Sequence, residues 1–243
     1  MTNPTAAMLV IGDEILSGRT RDANMYHLAG KLTEAGIDLK EVRVVGDEAA
    51  RIEGAVKSLS EAYDHLFTSG GIGPTHDDIT ADCVAAAMGA RIDVREDARA
   101  ILQAHYDRQG FEMNAARLRM ARIPDGATLI DNPVSAAPGF TLGNVHVMAG
   151  VPAIFEAMVE GLLPMLTGGD PVISASVRIE RGEGDIAGPL GDLAKANPGL
   201  SFGSYPFQQN GKYGANVVIR GSDQSRIDAA QAALRSIFGD DAT

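Results

Sequence analysis

The stretch Phe67-Thr68-Ser69-Gly70-Gly71-Ile72-Gly73-Pro74-Thr75-His76-Asp77-Asp78-Ile79-Thr80 constrains this chain more than any other. An apolar run ends in a glycine-rich turn, and a helix-forming run follows. That order places the turn at the carboxyl end of a buried strand. Glycine lets the backbone adopt left-handed conformations and lets amide N–H groups come close to a ligand. The helix start adds a partial positive charge. The segment therefore reads as a phosphate cradle formed by Ser69, Gly70, Gly71, Gly73, Pro74, Thr75 and Thr80. Two carboxylates, Asp77 and Asp78, follow directly. They would repel a phosphate unless a cation lay between, so the pair implies Mg²⁺ or another divalent cation shared with a phosphate-bearing ligand. Asp78 is equally placed to be the helix N-cap.

The surrounding pattern gives the architecture. Apolar runs at Ala6–Ile11, Ile37–Val45 and Tyr63–Thr68 alternate with helical periodicity over Asp22–Ala35, Glu48–Ala62 and Asp78–Met88. Such alternation predicts βαβ units, a mostly parallel sheet and a three-layer α/β fold. Arg91–Arg122 reads as helical with an interruption near Gly110. Short strands are expected at Ala127–Ile130, Gly139–Leu142 and Val145–Met148, then a helix over Pro152–Leu166. The run Thr167-Gly168-Gly169-Asp170-Pro171 marks a boundary between domains 1–168 and 169–243. Beyond it the order is β-α-β-β-α: Val172–Glu180, Asp185–Ala196, Ser201–Phe207 and Ala215–Arg220 joined around Asn210-Gly211, and Gln224–Phe238. This predicts a small α+β domain.

Three further constellations fall at expected strand ends, where open α/β sheets bind ligands. Gly12-Asp13-Glu14 follows the first strand and offers Gly12 and Asp13 to a ligand, or is a plain polar loop. Asp47 follows the second strand, as a catalytic or metal-positioning carboxylate or as the cap of the next helix. Asn132, Pro138 and Gly139 surround a short loop, and Gly150 and Pro152 precede a helix whose N-terminus could hold an anion. His76 reads as a solvent-facing loop residue, and Asn24 as a cap.

Composition excludes several classes. The net charge of -11 disfavours general binding to nucleic acid or to anionic membranes. Tryptophan is absent and aromatics are 5%, leaving few stacking platforms for single strands. One cysteine, Cys83, allows no intrachain disulfide and reads as a buried small hydrophobe. The start Met1-Thr2-Asn3-Pro4-Thr5 lacks a basic leader, and Ala6–Ile11 is too short to span a bilayer, so a cytoplasmic protein is expected.

Together these motifs resemble the molybdopterin-binding-like family, closest to the N-terminal part of its competence/damage-inducible protein A branch. The resemblance runs from residue 8 to about 166, through Gly12–Gly18 with Asn24, Val45-Gly46-Asp47, Gly70–Thr80, Asn132-Pro133 with Ala137-Pro138-Gly139-Phe140, and Gly150-Val151-Pro152. Residues Ser204-Tyr205-Pro206, with Ile186, Leu190 and Leu193, resemble that branch's KH-like module. No Gly-x-x-Gly loop joins two helices there, so RNA binding is not expected. The resemblance implies a ligand over the glycine turn, with Asp47 and Asp78 as catalytic or metal-positioning groups. It implies a metal-dependent nucleotide pyrophosphatase acting on ADP-ribose- or FAD-type diphosphates. Two alternatives stay open: a molybdopterin-binding transferase or carrier in molybdenum cofactor biosynthesis, and a non-catalytic nucleotide-binding module. The implied partners are a small-molecule nucleotide or pterin and further copies of the chain. One departure stands out: the family's Gly-Thr before Ala-Pro-Gly is here Ser135-Ala136.

Overall fold

A computed structural model describes residues 3–209 and 211–243. The chain forms two compact units, Met1–Gly169 and Asp170–Thr243. Within the first, β1 (Thr5–Ile11), α1 (Asp13–Leu16), α2 (Asn24–Glu34), β2 (Asp38–Val45), α3 (Ala49–Ala62), β3 (His65–Ser69) and α4 (Thr80–Ala87) follow in order. Then come β4 (Ile92–Val94), α5 (Glu96–Gln109), α6 (Ala115–Arg119), β5 (Arg122–Pro124), β6 (Thr128–Ile130), β7 (Gly139–Leu142), β8 (Val145–Met148) and α7 (Pro152–Leu162).

Six strands make the central sheet in the order β2-β1-β3-β8-β7-β6. The first four are parallel, and β7 and β6 join by antiparallel pairing. The sequence of β1 explains its central place. Ala7, Leu9 and Ile11 enter a core shared with Ile52, Val56 and Leu59 of α3 and Val84 of α4. Ala6, Met8 and Val10 enter the opposite core, with Leu28 and Leu32 of α2 and Phe155 and Met158 of α7. A strand covered on both faces has no polar side, which is why it reads as an unbroken apolar run. The edge strand β2 instead alternates, with Val42 and Val44 exposed. The expected three-layer, mostly parallel sheet is thus the fold of this unit.

Two expectations change. Arg91–Arg122 is not all helix, because Ile92-Asp93-Val94 pairs antiparallel with Arg122-Ile123-Pro124 and encloses α5 and α6. Helical periodicity in the middle of the segment conceals a strand whose partner lies far along the chain. The helix expected to reach Leu166 ends at Leu162, and Pro164 falls within a single 3₁₀ turn, Leu163–Met165.

The second unit contains β9 (Ile173–Ile179), α8 (Glu183–Ala196), β10 (Ser201–Gln209), β11 (Lys212–Gly221) and α9 (Gln224–Phe238). Its antiparallel sheet has the order β10-β11-β9 and packs Val177, Val217 and Ile219 against Ile186, Ile227 and Leu234. Of the turn expected at Asn210-Gly211, Asn210 lies outside the described residues, as do Met1 and Thr2. Among the described residues, no helix is long and apolar enough to cross a membrane.

Candidate functional site

The four parallel strands end at one edge of the sheet, and so do the loops after Ile11, Val45, Ser69 and Met148. Strand β6 runs parallel to β8 through two antiparallel pairings, which brings the loop from Asp131 to Pro138 to the same edge. Every candidate site residue from Gly12 to Pro152 therefore falls on one rim.

The glycine turn is tightly fixed. Gly70 and Gly71 have φ of 107° and 69°, conformations that side chains disfavour. The Gly70 N–H donates to the Met148 carbonyl at 3.2 Å, and the Thr80 N–H donates to the Gly71 carbonyl at 3.0 Å. A Cβ on Gly71 would collide with the buried Thr80 hydroxyl, which has no hydrogen-bond partner among the described residues. Gly150 packs against Gly70. The amides of Gly71, Ile72 and Gly73 donate to no protein acceptor among the described residues. Successive free amides on a glycine turn form an anion cradle.

Asp78 closes this turn. Its Oδ2 accepts from the Thr75 N–H at 2.8 Å and from the Thr75 hydroxyl at 2.5 Å. Only a glycine at 73 leaves room for it, since a Cβ there would stand 2.6 Å from the same oxygen. The helix begins later than the sequence suggests, at Thr80, and Ile79 stands at its N-cap without a side-chain bond. Asp78 is therefore a loop clasp and not the cap. Pro74, Thr75, His76 and Asp77 are exposed.

The second cluster gathers around Asp47. Its Oδ2 accepts from the Asp13 N–H at 2.9 Å, and α3 has Glu48 at its N-cap with no side-chain bond. The helix-cap alternative for Asp47 thus gives way to a bond between two loops. The Asp13 carboxylate lies against Gly46, and the Glu14 carboxylate lies against Gly12. Burial pushes the Asp47 carboxyl above its ordinary value, the Asp13 amide opposes the rise, and the charges of Asp13, Glu14 and Asp77 add to it. Asp13 and Asp47 are thus joined on the rim with Glu14 beside them, and carboxylate oxygens are the hard donors that Mg²⁺ prefers. Among the described residues, no three carboxyl, imidazole or thiol groups already stand in an arrangement that could hold a metal ion. Both acids of the turn engage Thr75: Asp78 accepts from its amide and hydroxyl, and a hydrogen bond with Thr75 holds the exposed Asp77 carboxyl below its ordinary value.

The remaining predicted residues shape the rim. Ser69 is 2% exposed, and its hydroxyl accepts from Asn24 at 2.7 Å. Asn132 is saturated within its own loop: Oδ1 takes the Val134 and Ser135 amides, and Nδ2 donates to the Ser135 hydroxyl and the Ala137 carbonyl. Gly139 begins β7, and Pro152 is the first residue of α7. Pro138 lines a narrow slot of about 20 Å³ beside Gly71, Gly73 and Asp78.

Sequence reasoning missed three contributors. Asn24, read as a cap, is the buried first residue of α2; its Nδ2 also donates to the Gly150 carbonyl at 2.8 Å, joining three loops. Arg119 and Arg122 form the far wall of the slot, and Arg119 donates to the Asp78 carbonyl at 3.2 Å. Both come from the segment that reads as plain helix, about forty positions after the turn. Only its local excess of arginine could have drawn attention to them.

The family model described as "Probable molybdopterin binding domain" matches residues 7–168. The chain belongs to this family. Residues 171–243 match the model described as "FAD synthase, middle domain". A CinA-like protein of Geobacter metallireducens is 33% identical over 216 residues, covering 84% of this chain and 52% of that protein. A probable FAD synthase of Caenorhabditis briggsae is 30% identical over 259 residues, covering 96% of this chain and 49% of that one. The chain thus spans about half the length of these two relatives. The crystal structure of CinA from Thermoplasma acidophilum, a protein of unknown function, is 33% identical with a TM-score of 0.61, covering 66% of this chain and 98% of that one. Within the molybdopterin binding domain family, the chain therefore stands close to CinA.

Proposed function

We propose that the chain is a metal-dependent pyrophosphatase that cleaves FAD- or ADP-ribose-type diphosphates. The observation that carries this reading is the juxtaposition on one rim of a free-amide glycine turn and the joined loops that carry Asp47, Asp13 and Glu14. The amides of Gly71, Ile72 and Gly73 bind the diphosphate. Asp47, with Asp13 and Asp77, would hold a divalent cation, which would polarise a phosphoryl oxygen when bound. Asp78 keeps the turn in its binding shape through Thr75, and Asn24 holds that turn to the loop at Gly150. The match of residues 171–243 to a FAD synthase domain, and the likeness to a probable FAD synthase, support a flavin-type dinucleotide as the substrate class.

A second reading, a molybdopterin carrier or transferase, draws support from the family description alone. Purified chain incubated with FAD and with ADP-ribose, with Mg²⁺ or with chelator, separates the two. Cleavage yields AMP with FMN or with ribose 5-phosphate, and chelation stops it. Adenylylated pterin formed from ATP and molybdopterin, with FAD and ADP-ribose left intact, would favour the second reading.

A further inference from the structure

An open cleft of about 520 Å³ lies beside the glycine-turn slot and shares with it Asp82, Arg119 and Arg122. Its other walls are His76 and the apolar Ile79, Val94, Ala115 and Leu118. We propose that this cleft is the subsite for one phosphorylated half of a dinucleotide, with Arg119 facing the phosphate and the apolar wall carrying the flat or sugar portion. The inference rests on the pyrophosphatase reading and adds where the substrate's body lies.

Three observations lead there. First, the slot at the turn is far too small for either half of a dinucleotide, whereas the cleft falls in the size range of small-molecule pockets. Whatever anchors its diphosphate on the turn must send its bulk elsewhere, and this cleft is continuous with that anchor. Second, Arg119 is an uncompensated cation. It donates to the Asp78 carbonyl, its buried Nε has no partner, and it takes part in no ion pair with a carboxylate among the described residues. Arg122, by contrast, pairs with Asp82. A guanidinium left without a carboxylate beside a ligand surface is suited to a phosphate. Third, residues 91–122 carry seven arginines against five carboxylates in a chain of net charge -11. Arg91, Arg95, Arg99 and Arg122 are ion-paired, and of the other three, Arg108, Arg117 and Arg119, only Arg119 lines the cleft.

The test is equilibrium binding to the full chain by calorimetry, with Ca²⁺ in place of Mg²⁺ and chromatography confirming that each probe stays intact. The probes are FAD, ADP-ribose, AMP, FMN and inorganic pyrophosphate. Two variants are compared with wild type. Ala115→Trp fills the cleft from an exposed position on α6, and Arg119→Gln removes the charge while keeping a donor to the Asp78 carbonyl. Both are checked for an unchanged thermal transition. Ala115→Trp is expected to weaken FAD about tenfold or more while leaving pyrophosphate within about twofold. Arg119→Gln is expected to weaken FAD similarly, with Arg119→Lys recovering part of the loss. Whichever of AMP or FMN loses affinity in Ala115→Trp identifies the half that occupies the cleft. Wild-type affinity for every dinucleotide and mononucleotide in both variants would overturn the subsite while leaving the pyrophosphatase reading intact. Failure of the wild-type chain to bind any of these probes would overturn both.

Discussion

At the scale of single residues, Asp47 carries the clearest conflict between stability and chemistry. Its carboxyl is raised by burial and by neighbouring carboxylates. Raising the pKa of an acid means that folding favours the protonated form. The stabilising share is therefore complete at low pH and is lost as pH rises through the raised value. Asp47→Asn should make the metal-free protein slightly more stable at neutral pH, and the gain should fade as the solution is acidified. The same variant should lose roughly 100-fold or more in turnover. Thermal unfolding across pH, paired with an activity assay, checks both; equal stability with full turnover would contradict the assignment. Ala136 offers a second residue-scale test. It has φ of 63°, the one described non-glycine residue in the left-handed region, and it lies where the family's Gly-Thr is replaced by Ser135-Ala136. Ala136→Gly should stabilise the chain by about 0.5–1 kcal/mol, less any entropy added to the unfolded state. An unchanged or lower midpoint in urea would show that the loop is not strained. The sequence exposed Asp47 and the glycine turn because their residue types are costly at strand ends without a reason. It could not reveal that Asp47 bonds the Asp13 amide or that Asp78 clasps Thr75, since both bonds depend on how the loops fold back.

At the scale of elements, the site depends on how α2 is fastened to the sheet. Asn24 bonds Ser69 at the end of β3 and the Gly150 carbonyl before α7. Asn24→Ala leaves buried groups unpaired and should cost about 1–3 kcal/mol, with weaker ligand binding. A variant as stable as wild type would show that the three loops hold their places unaided. At the other end of β3, His65 Nδ1 and His146 Nε2 lie 3.1 Å apart, and His146 Nδ1 lies 3.0 Å from the Thr141 hydroxyl. Burial, aided by the His65 charge, pushes His146 from 6.5 down to about 3. The unfolded chain takes up this proton first, so stability is full above pH 6.5 and falls as pH drops toward about 3. The slope from this group alone is at most about 1.4 kcal/mol per pH unit. His146→Leu should flatten the acid side of the stability profile; an unchanged slope would refute a neutral buried histidine. Burial likewise raises the Cys83 thiol to about 11, in keeping with the inert apolar role its alanine-rich helix suggests. The parallel strands were legible because a strand covered on both faces must be apolar throughout. Strands β4 and β5 were not, because three-residue strands owe their existence to each other and not to any local pattern.

At the scale of the whole molecule, each unit has its own hydrophobic core, and every candidate site residue lies before residue 153. Residues 1–169 expressed alone should therefore fold and keep metal-dependent turnover. A folded fragment without turnover would show that the second unit takes part in the chemistry. The alternation of apolar runs and helical periods made the α/β class readable, and the β-α-β-β-α order made the second unit readable. What sequence did not convey is that an arginine-bearing segment inserted after α4 returns to wall the glycine turn. That return is a property of tertiary packing. The proposed hydrolysis adds water across a diphosphate with the help of a cation held at Asp47. Incubation with FAD and ADP-ribose in ¹⁸O-labelled water, followed by mass analysis of the products, tests it most directly. One heavy oxygen is expected in one of the two monophosphates, formed with Mg²⁺ and absent with chelator or in Asp47→Asn. Intact substrates, or products free of label, would contradict it.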